Sequence, residues 1–133
     1  MRVVLDTNIL ISACWTPGGL ESQTVDLVLA GTLTACVTPE IWAEYREVLF
    51  RDKFAALRVR VDELLLQLEA KAFRVKPIGT VNAASDEDDN RFLECAEAAG
   101  AAYLITGNLR HFPPRWGATA IVNARQFLTS SQE

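Results

Sequence analysis

The side chains that could do chemistry in this sequence are carboxylates. Asp6 directly follows the apolar run of residues 3–5, and Asp89 precedes Phe92 and Leu93 by three and four residues, a spacing that predicts a place on a buried helix face. A carboxylate in such a place is costly unless a cation or hydrogen bonds compensate it. Oxygen donors without a cluster of His or Cys favour Mg²⁺ or Mn²⁺, and these ions polarise phosphates and activate water. The candidate donors are Asp6, Glu44, Asp86, Asp89 and Asn108.

Two short apolar runs end in these polar groups, and runs of this kind predict strands that are buried on both faces. Residues 3–5 lead to Asp6, and residues 103–106 lead to Asn108. Strands alternate with helices along the chain, which predicts an α/β fold: a three-layer sandwich with a central, mostly parallel sheet of about five strands covered by helices on both faces. The carboxyl ends of the central strands then face one crevice, so we expect Asp6 and Asn108 to meet there.

Turn and cap residues predict where the elements begin and end. Thr38 followed by Pro39 predicts a helix start, and Gly100 predicts a helix end. Ser85 is the predicted cap of the helix before the second apolar run. Strands are predicted at residues 3–5, 33–38, 73–78, 103–106 and 118–122. Pro77 restricts the third of them to an edge of the sheet.

Glu44 and Asp86 join the acidic set because of their places on predicted helices. Glu44 lies three residues after Ile41 and four before Val48, so it borders the apolar face of its helix. Asp86 lies one turn before Asp89 on the same face. Each also has a plain structural interpretation, because glutamates at such borders are mostly solvated and the helix dipole favours acids in a first turn.

Polar and basic residues beside the acids are candidates for a supporting role or for substrate binding. Thr7 and Asn8 either hold Asp6 by hydrogen bonds or simply cap the following helix. Thr106 is a candidate contact for a phosphate, as is Arg110. His111, the single histidine, either contacts the substrate phosphate or packs structurally. The candidate supporting set is Thr7, Asn8, Thr106, Asn108, Arg110 and His111.

Length and composition indicate one globular domain. The chain has 133 residues, half of them hydrophobic, and a formal net charge of −4. We expect residues 1–128 to form the domain and residues 129–133 to form a frayed tail. The net negative charge argues against sequence-blind nucleic-acid binding, although basic residues concentrate between positions 46 and 76. No apolar run approaches the roughly 20 residues that cross a bilayer, and Asp6 interrupts any signal-peptide pattern, so we expect a cytoplasmic protein with no membrane partner.

Four segments of the sequence, in this order and at these spacings, are similar to those of PIN-domain ribonucleases, of the kind that act as toxins in bacterial type II toxin–antitoxin pairs. The segments are VVLDTN, PEIWAEYREVL, SDEDDNRFLECA and LITGNLRHFP. The resemblance covers nearly the whole chain. It assigns the first three acids of the family to Asp6, Glu44 and Asp89, with Asp86 as an auxiliary acid. It implies a PIN-like fold, a Mg²⁺- or Mn²⁺-dependent endoribonuclease that cleaves RNA, an antitoxin protein as partner and a homodimer.

Two alternatives stay open. Asn108 stands at the fourth acidic position of the family, where many members carry Asp, so the chain could be a degenerate PIN domain that binds RNA or an antitoxin without catalysis. Haloacid-dehalogenase-type phosphatases also place an Asp after the first strand. They need a second Asp where this sequence has Asn8 and a lysine near the later acids, and no lysine follows Lys76. The sequence therefore disfavours this second class.

Overall fold

The computed structural model describes residues 1–84 and 86–131, and it places a six-stranded sheet between two layers of helices. The strands are β1 (Arg2–Leu5), β2 (Thr34–Val37), β3 (Phe73–Arg74), β4 (Tyr103–Ile105), β5 (Arg115–Trp116) and β6 (Thr119–Val122). The helices are α1 (Thr7–Trp15), α2 (Leu20–Leu29), α3 (Pro39–Leu49), α4 (Arg58–Lys71), α5 (Glu87–Ala99) and α6 (Ala124–Ser131). Short 3₁₀ helices span Asp52–Leu57 and Leu109–His111. The predicted α/β sandwich is confirmed.

The sheet has the strand order β3-β2-β1-β4-β6-β5 and is parallel except at one edge. β1 is central, and its Val3 lies opposite Ala35 of β2 and Tyr103 of β4. β5 pairs antiparallel with β6. β5 was not predicted, because a strand of two residues has no detectable periodicity. The carboxyl ends of β1 and β4 are adjacent, as the predicted crevice requires.

β1 is buried on both faces because it lies in the middle of the sheet. Val3, Val4 and Leu5 are completely inaccessible to solvent. α5 packs on β1, β2 and β4, whereas α1, α2 and α4 contact one another. This explains why the first apolar run has no polar break, since neither face of the strand meets water.

The predicted strand over residues 73–78 is much shorter in the structure. Only Phe73 and Arg74 form β3, and Val75 adds one further hydrogen bond, from its N–H to the Val37 carbonyl at 2.9 Å. Pro77 lacks an N–H and cannot continue the ladder. The edge position of this strand is as predicted.

Most predicted helix ends are confirmed, with one difference. The Thr38 hydroxyl accepts the Ile41 N–H at 3.2 Å and caps α3. α5 is capped by Asp86, whose carboxylate accepts the Asp88 N–H at 2.9 Å, whereas Ser85, the predicted cap, lies outside the described residues. A carboxylate is as good an acceptor for the first free N–H groups as a serine hydroxyl.

The last helix of the chain extends further toward the C-terminus than the sequence predicted. α6 extends to Ser131, so it includes the first residues of the predicted tail, and residues 132 and 133 lie outside the described residues. The boundary at residue 128 stays a prediction. Within the described ranges, no helix is both long and apolar enough to cross a membrane.

Gly100 ends α5 in the left-handed conformation, with φ of 61°, and nothing lies within 4 Å of where its Cβ would be. We therefore predict that Gly100→Ala lowers the free energy of unfolding by about 1–2 kcal/mol through backbone strain alone. Gly100→Asn should cost less, because asparagine tolerates this conformation. Urea denaturation of both variants checks this, and equal costs would contradict the assignment to backbone conformation.

Candidate active site

Asp6 is at the centre of the polar cluster at the carboxyl ends of β1 and β4. Its backbone N–H continues the sheet by donating to the Ile105 carbonyl at 2.9 Å, so the strand geometry fixes its position. Its side chain is buried, and Oδ2 accepts the Thr106 hydroxyl at 2.7 Å and the Asn8 amide at 3.2 Å. Burial raises the pKa of Asp6, and these hydrogen bonds oppose the rise.

Asn8 joins the two strand ends around Asp6. While its Nδ2 donates to Asp6, its Oδ1 accepts the Gly107 N–H at 3.0 Å. The Thr106 hydroxyl in turn accepts the Asn108 N–H at 2.9 Å. A Cβ on Gly107 would approach Asn8 Oδ1 to 3.3 Å, so glycine permits this close approach. The side chains of Thr7 and Asn8 therefore hydrogen-bond within the cluster, to Glu44, Asp6 and Gly107.

Glu44 reaches the cluster from α3. Its Oε2 accepts a hydrogen bond from the Thr7 hydroxyl. The next residue, Tyr45, is fully buried and donates its hydroxyl hydrogen bond to the Leu5 carbonyl, which anchors α3 to the end of β1. Burial raises the pKa of Glu44, and the negative charges of Asp6, Asp88 and Asp89 raise it further.

Asp89 completes the group from the first turn of α5. Its side chain is 16% exposed, and its Oδ2 lies 3.3 Å from Nδ1 of His111. Burial and the charges of Asp6 and Asp86 raise the pKa of Asp89 to about 6, whereas His111 acts in the opposite direction. Asp6, Glu44 and Asp89 therefore lie close enough to act on one another electrostatically.

The other candidate donors lie further out. Asp86 is exposed and uses one oxygen to cap α5, although its charge still acts on Asp89. Asn108 is exposed and contributes its backbone N–H to the cluster. It also lines a hollow of about 260 Å³ together with Arg110, His111 and Asn123. Arg110 is exposed there, as phosphate binding would require.

The candidate donors are of the chemical type that binds a hard divalent cation. In the structure, however, they are not arranged around a common binding position. All the donors are oxygens. The charges of Asp6 and Asp89 raise the pKa of Glu44, and the charge of Asp6 raises the pKa of Asp89. Among the ion pairs of the described residues, none joins these three acids to an arginine or lysine. In the described part of the chain, no three acidic, His or Cys side chains converge closely enough to hold an ion as placed. A dication would relieve the repulsion once the carboxylates rotate toward it.

Comparisons with known proteins identify the fold family. The sequence model described as PIN domain matches residues 2–110, which is most of the chain. The chain belongs to the PIN domain family. It is also 28% identical over 114 residues to an uncharacterised protein of Methanocaldococcus jannaschii, an alignment that covers 81% of this chain and 71% of that protein.

A solved structure supports the same fold for this PIN domain. VapBC2 from Rickettsia felis, determined bound to a DNA fragment from their promoter, superposes with a TM-score of 0.62. The superposition covers 92% of this chain and 98% of that one, at 17% sequence identity. At this identity the likeness concerns the fold alone.

Two residues that position α5 of this PIN domain were missed in the sequence. Asn90 and Glu94 are buried and hold the loop before the helix: the Asn90 Oδ1 accepts the N–H groups of Ala83 and Ala84 at 3.0 and 2.7 Å, and Glu94 Oε2 accepts that of Val81 at 2.9 Å. They lie four residues apart, so they share one helix face. The sequence signal that could have identified them is the pair of polar residues at this spacing, next to the buried apolar residues of the same helix.

Asp88 lies off the helix face of Asp86 and Asp89, and it was not among the predicted site residues. In the structure it lines a pocket beside Glu44, and its charge raises the pKa of that residue. The spacing of residues on one helix does not show which other helix packs beside it. Here α3 approaches α5 from the side.

The raised pKa of Asp89 predicts a pH-dependent stability. The folded pKa of about 6 exceeds the ordinary 3.8, so this residue stabilises the fold when protonated, and the contribution is lost as the pH rises through about 6. In EDTA, wild type should lose more stability than Asp89→Asn between about pH 4 and pH 7, with most of the difference developed by about pH 6. Thermal unfolding across this range checks it. If the unfolding midpoints of the two proteins changed equally with pH, the raised pKa of Asp89 would be contradicted.

Removal of the Glu94 carboxylate should release the loop before α5. Glu94→Ala leaves the buried Val81 N–H without its acceptor and should lower the free energy of unfolding by about 1–3 kcal/mol. Glu94→Gln retains an acceptor oxygen and should cost less. Hydrogen exchange at residue 81 is the measurement. It should accelerate in the alanine variant, and equal exchange in the two variants would argue against this contact.

Proposed function

We propose that this PIN domain is a divalent-metal-dependent endoribonuclease and the toxin of a toxin–antitoxin pair. The observation that carries the proposal is the electrostatic proximity of Asp6 after β1, Glu44 on α3 and Asp89 on α5, with no arginine or lysine among the described residues paired to them. Repelling carboxylates in a partly buried crevice are stable when a cation shares them. Mg²⁺ or Mn²⁺ is the cation that all-oxygen donors favour.

In this proposal, different residues of the chain bind the ion, hold its water and orient the ligands. Asp6 and Asp89 would hold the ion directly, with Glu44 and Asp86 as further ligands or as holders of its water. The ion supplies Lewis acidity toward the scissile phosphate and lowers the pKa of water. Thr106 and Asn8 fix the orientation of Asp6 through their hydrogen bonds to Oδ2. Thr7 restrains Glu44 in the same way.

Substrate binding would fall to the turn after β4. Arg110 and His111 flank the hollow beside the acids and are suited to neighbouring phosphates of an RNA strand. Asn108 would contribute a neutral amide where an acid would contribute charge. We extend to this chain a cognate antitoxin and a homodimeric form, as the resemblance implies, and the cytoplasmic location expected from the sequence. The VapBC2 assembly of similar fold supports the antitoxin partner.

A non-catalytic role is the second candidate. Asn108 replaces an acid at the fourth position, and the acids as placed form no closed metal cage within the described residues. A degenerate PIN domain would bind RNA or an antitoxin without cutting. Metal-dependent turnover separates the two functions.

We predict that Asp6→Asn lowers the rate of RNA cleavage by orders of magnitude while the fold is retained, because it replaces a charged carboxylate ligand by a neutral amide. Cleavage of a fluorogenic RNA in Mn²⁺ is the assay, with Glu97→Gln as the matched control. Glu97 is an exposed acid on α5 and takes no part in the cluster. Unchanged cleavage by the Asp6 variant would refute the mechanism.

Metal binding is tested separately by thermal unfolding in EDTA and in Mn²⁺. A ligand of the native state raises the midpoint by mass action, so wild type should shift upward and Asp6→Asn should not. A shift without RNA cleavage would favour the binding role. No shift at millimolar Mn²⁺ would mean that the acids form no working metal site.

A further inference from the structure

An apolar groove with a basic rim lies between α3 and the β3 edge of the sheet. Its volume is about 550 Å³. Val37, Trp42 and Val75 contribute the apolar floor, and Arg46, Arg74 and Lys76 form the rim. We call this surface the edge groove. The floor residues are buried or half-buried, whereas the three cations are exposed.

The charge of the edge groove is opposite to that of the chain. The net charge of the protein is −4, yet three cations and no acid line this groove. Among the ion pairs of the described residues, Arg46 and Lys76 take part in none, and Arg74 has only an exposed contact of 3.9 Å with Glu69. Exposed pairs of this kind contribute little. The rim is therefore available to an acidic partner.

The edge groove also borders a free strand edge. β3 is the outermost strand, and within the described residues it pairs only with β2. An extended segment could add to the outer edge of β3 by backbone hydrogen bonds and place alternate side chains in the groove. Pro77 keeps that edge short and limits what can pair there.

The edge groove is separate from the acidic cluster. Trp42 and Arg46 each lie two residues from Glu44, so on a helix they point about 200° away from it. α3 therefore presents Glu44 to one side and the groove to the other. Occupancy of the groove does not require access to the acids.

We infer that the edge groove is a docking site for an extended segment of a partner protein in which aliphatic and acidic side chains alternate. The aliphatic side chains would fill the floor beside Trp42, and the acidic ones would meet Arg46 and Lys76. An RNA strand fits less well, because the floor is mostly aliphatic and Trp42 packs edge-on against Tyr45 at 6.0 Å between ring centroids. This inference goes beyond the proposed function and does not depend on catalysis.

The test is selection of peptides on the intact chain. A display library of random peptides of about ten residues, enough to form one strand, is panned on wild type and counter-selected on Arg46→Glu/Lys76→Glu. Selected peptides should alternate acidic and aliphatic residues, and the double variant should bind them about tenfold or more weakly. Lys53→Glu/Arg125→Glu makes the same charge change at exposed positions elsewhere and should bind as wild type does.

Several results would overturn the inference. One is the absence of enrichment over the double variant, and another is enrichment of peptides without acids. Competition by a short single-stranded RNA for the selected peptide would assign the groove to nucleic acid. Conversion of a dimer to a monomer by Arg46→Glu/Lys76→Glu would assign it to a second copy of the chain. If wild type fails to cleave RNA, the proposed function fails while the peptide result stands.

Discussion

The burial of one carboxylate is the constraint on which the rest of this site depends. Asp6 is 5% exposed, and a charge in that position must be compensated locally. Thr106 and Asn8 supply hydrogen bonds from the two strand ends, and the parallel pairing of β1 with β4 keeps those ends adjacent. The polar network is thus a consequence of where the chain turns from strand to helix. A cation beside Asp6 would complete the same compensation.

Repulsion among the acids sets requirements on the helices that carry them. The charges of Asp6 and Asp89 disfavour the charged form of Glu44, and that of Asp6 disfavours the charged form of Asp89, so the fold must hold α3 and α5 in place by contacts elsewhere. Tyr45 does this for α3 through the Leu5 carbonyl, and Glu94 does it for α5 through the preceding loop. These two contacts lie outside the acidic cluster, and Glu94 is in addition paired with Arg91 at 2.8 Å. Such a separation of stabilising contacts from the acids is typical of sites where function and stability conflict.

The sequence predicted the features that depend on one segment at a time. Buried β1, the edge position of β3 and the helix end at Gly100 follow from local pattern, and the structure has them. The resemblance pointed to the family that the comparison confirms. Local pattern could not show that Asp88 acts on Glu44 from another helix, that two-residue β5 exists, or that Asn8 spans to Gly107. Each of these depends on how distant segments meet.

α3 also depends on distant segments, since its sequence predicted only an amphipathic helix. One side carries Glu44 toward the acids, and the other carries Trp42 and Arg46 toward the sheet edge. Because Tyr45 fixes the rotation of the helix between these sides, a change at one side is transmitted to the other only by moving that buried anchor. Tyr45 is packed without solvent access, so such movement would disrupt the core. Trp42 of the edge groove packs edge-on against Tyr45, so the two surfaces lie on opposite sides of α3 and share this buried anchor.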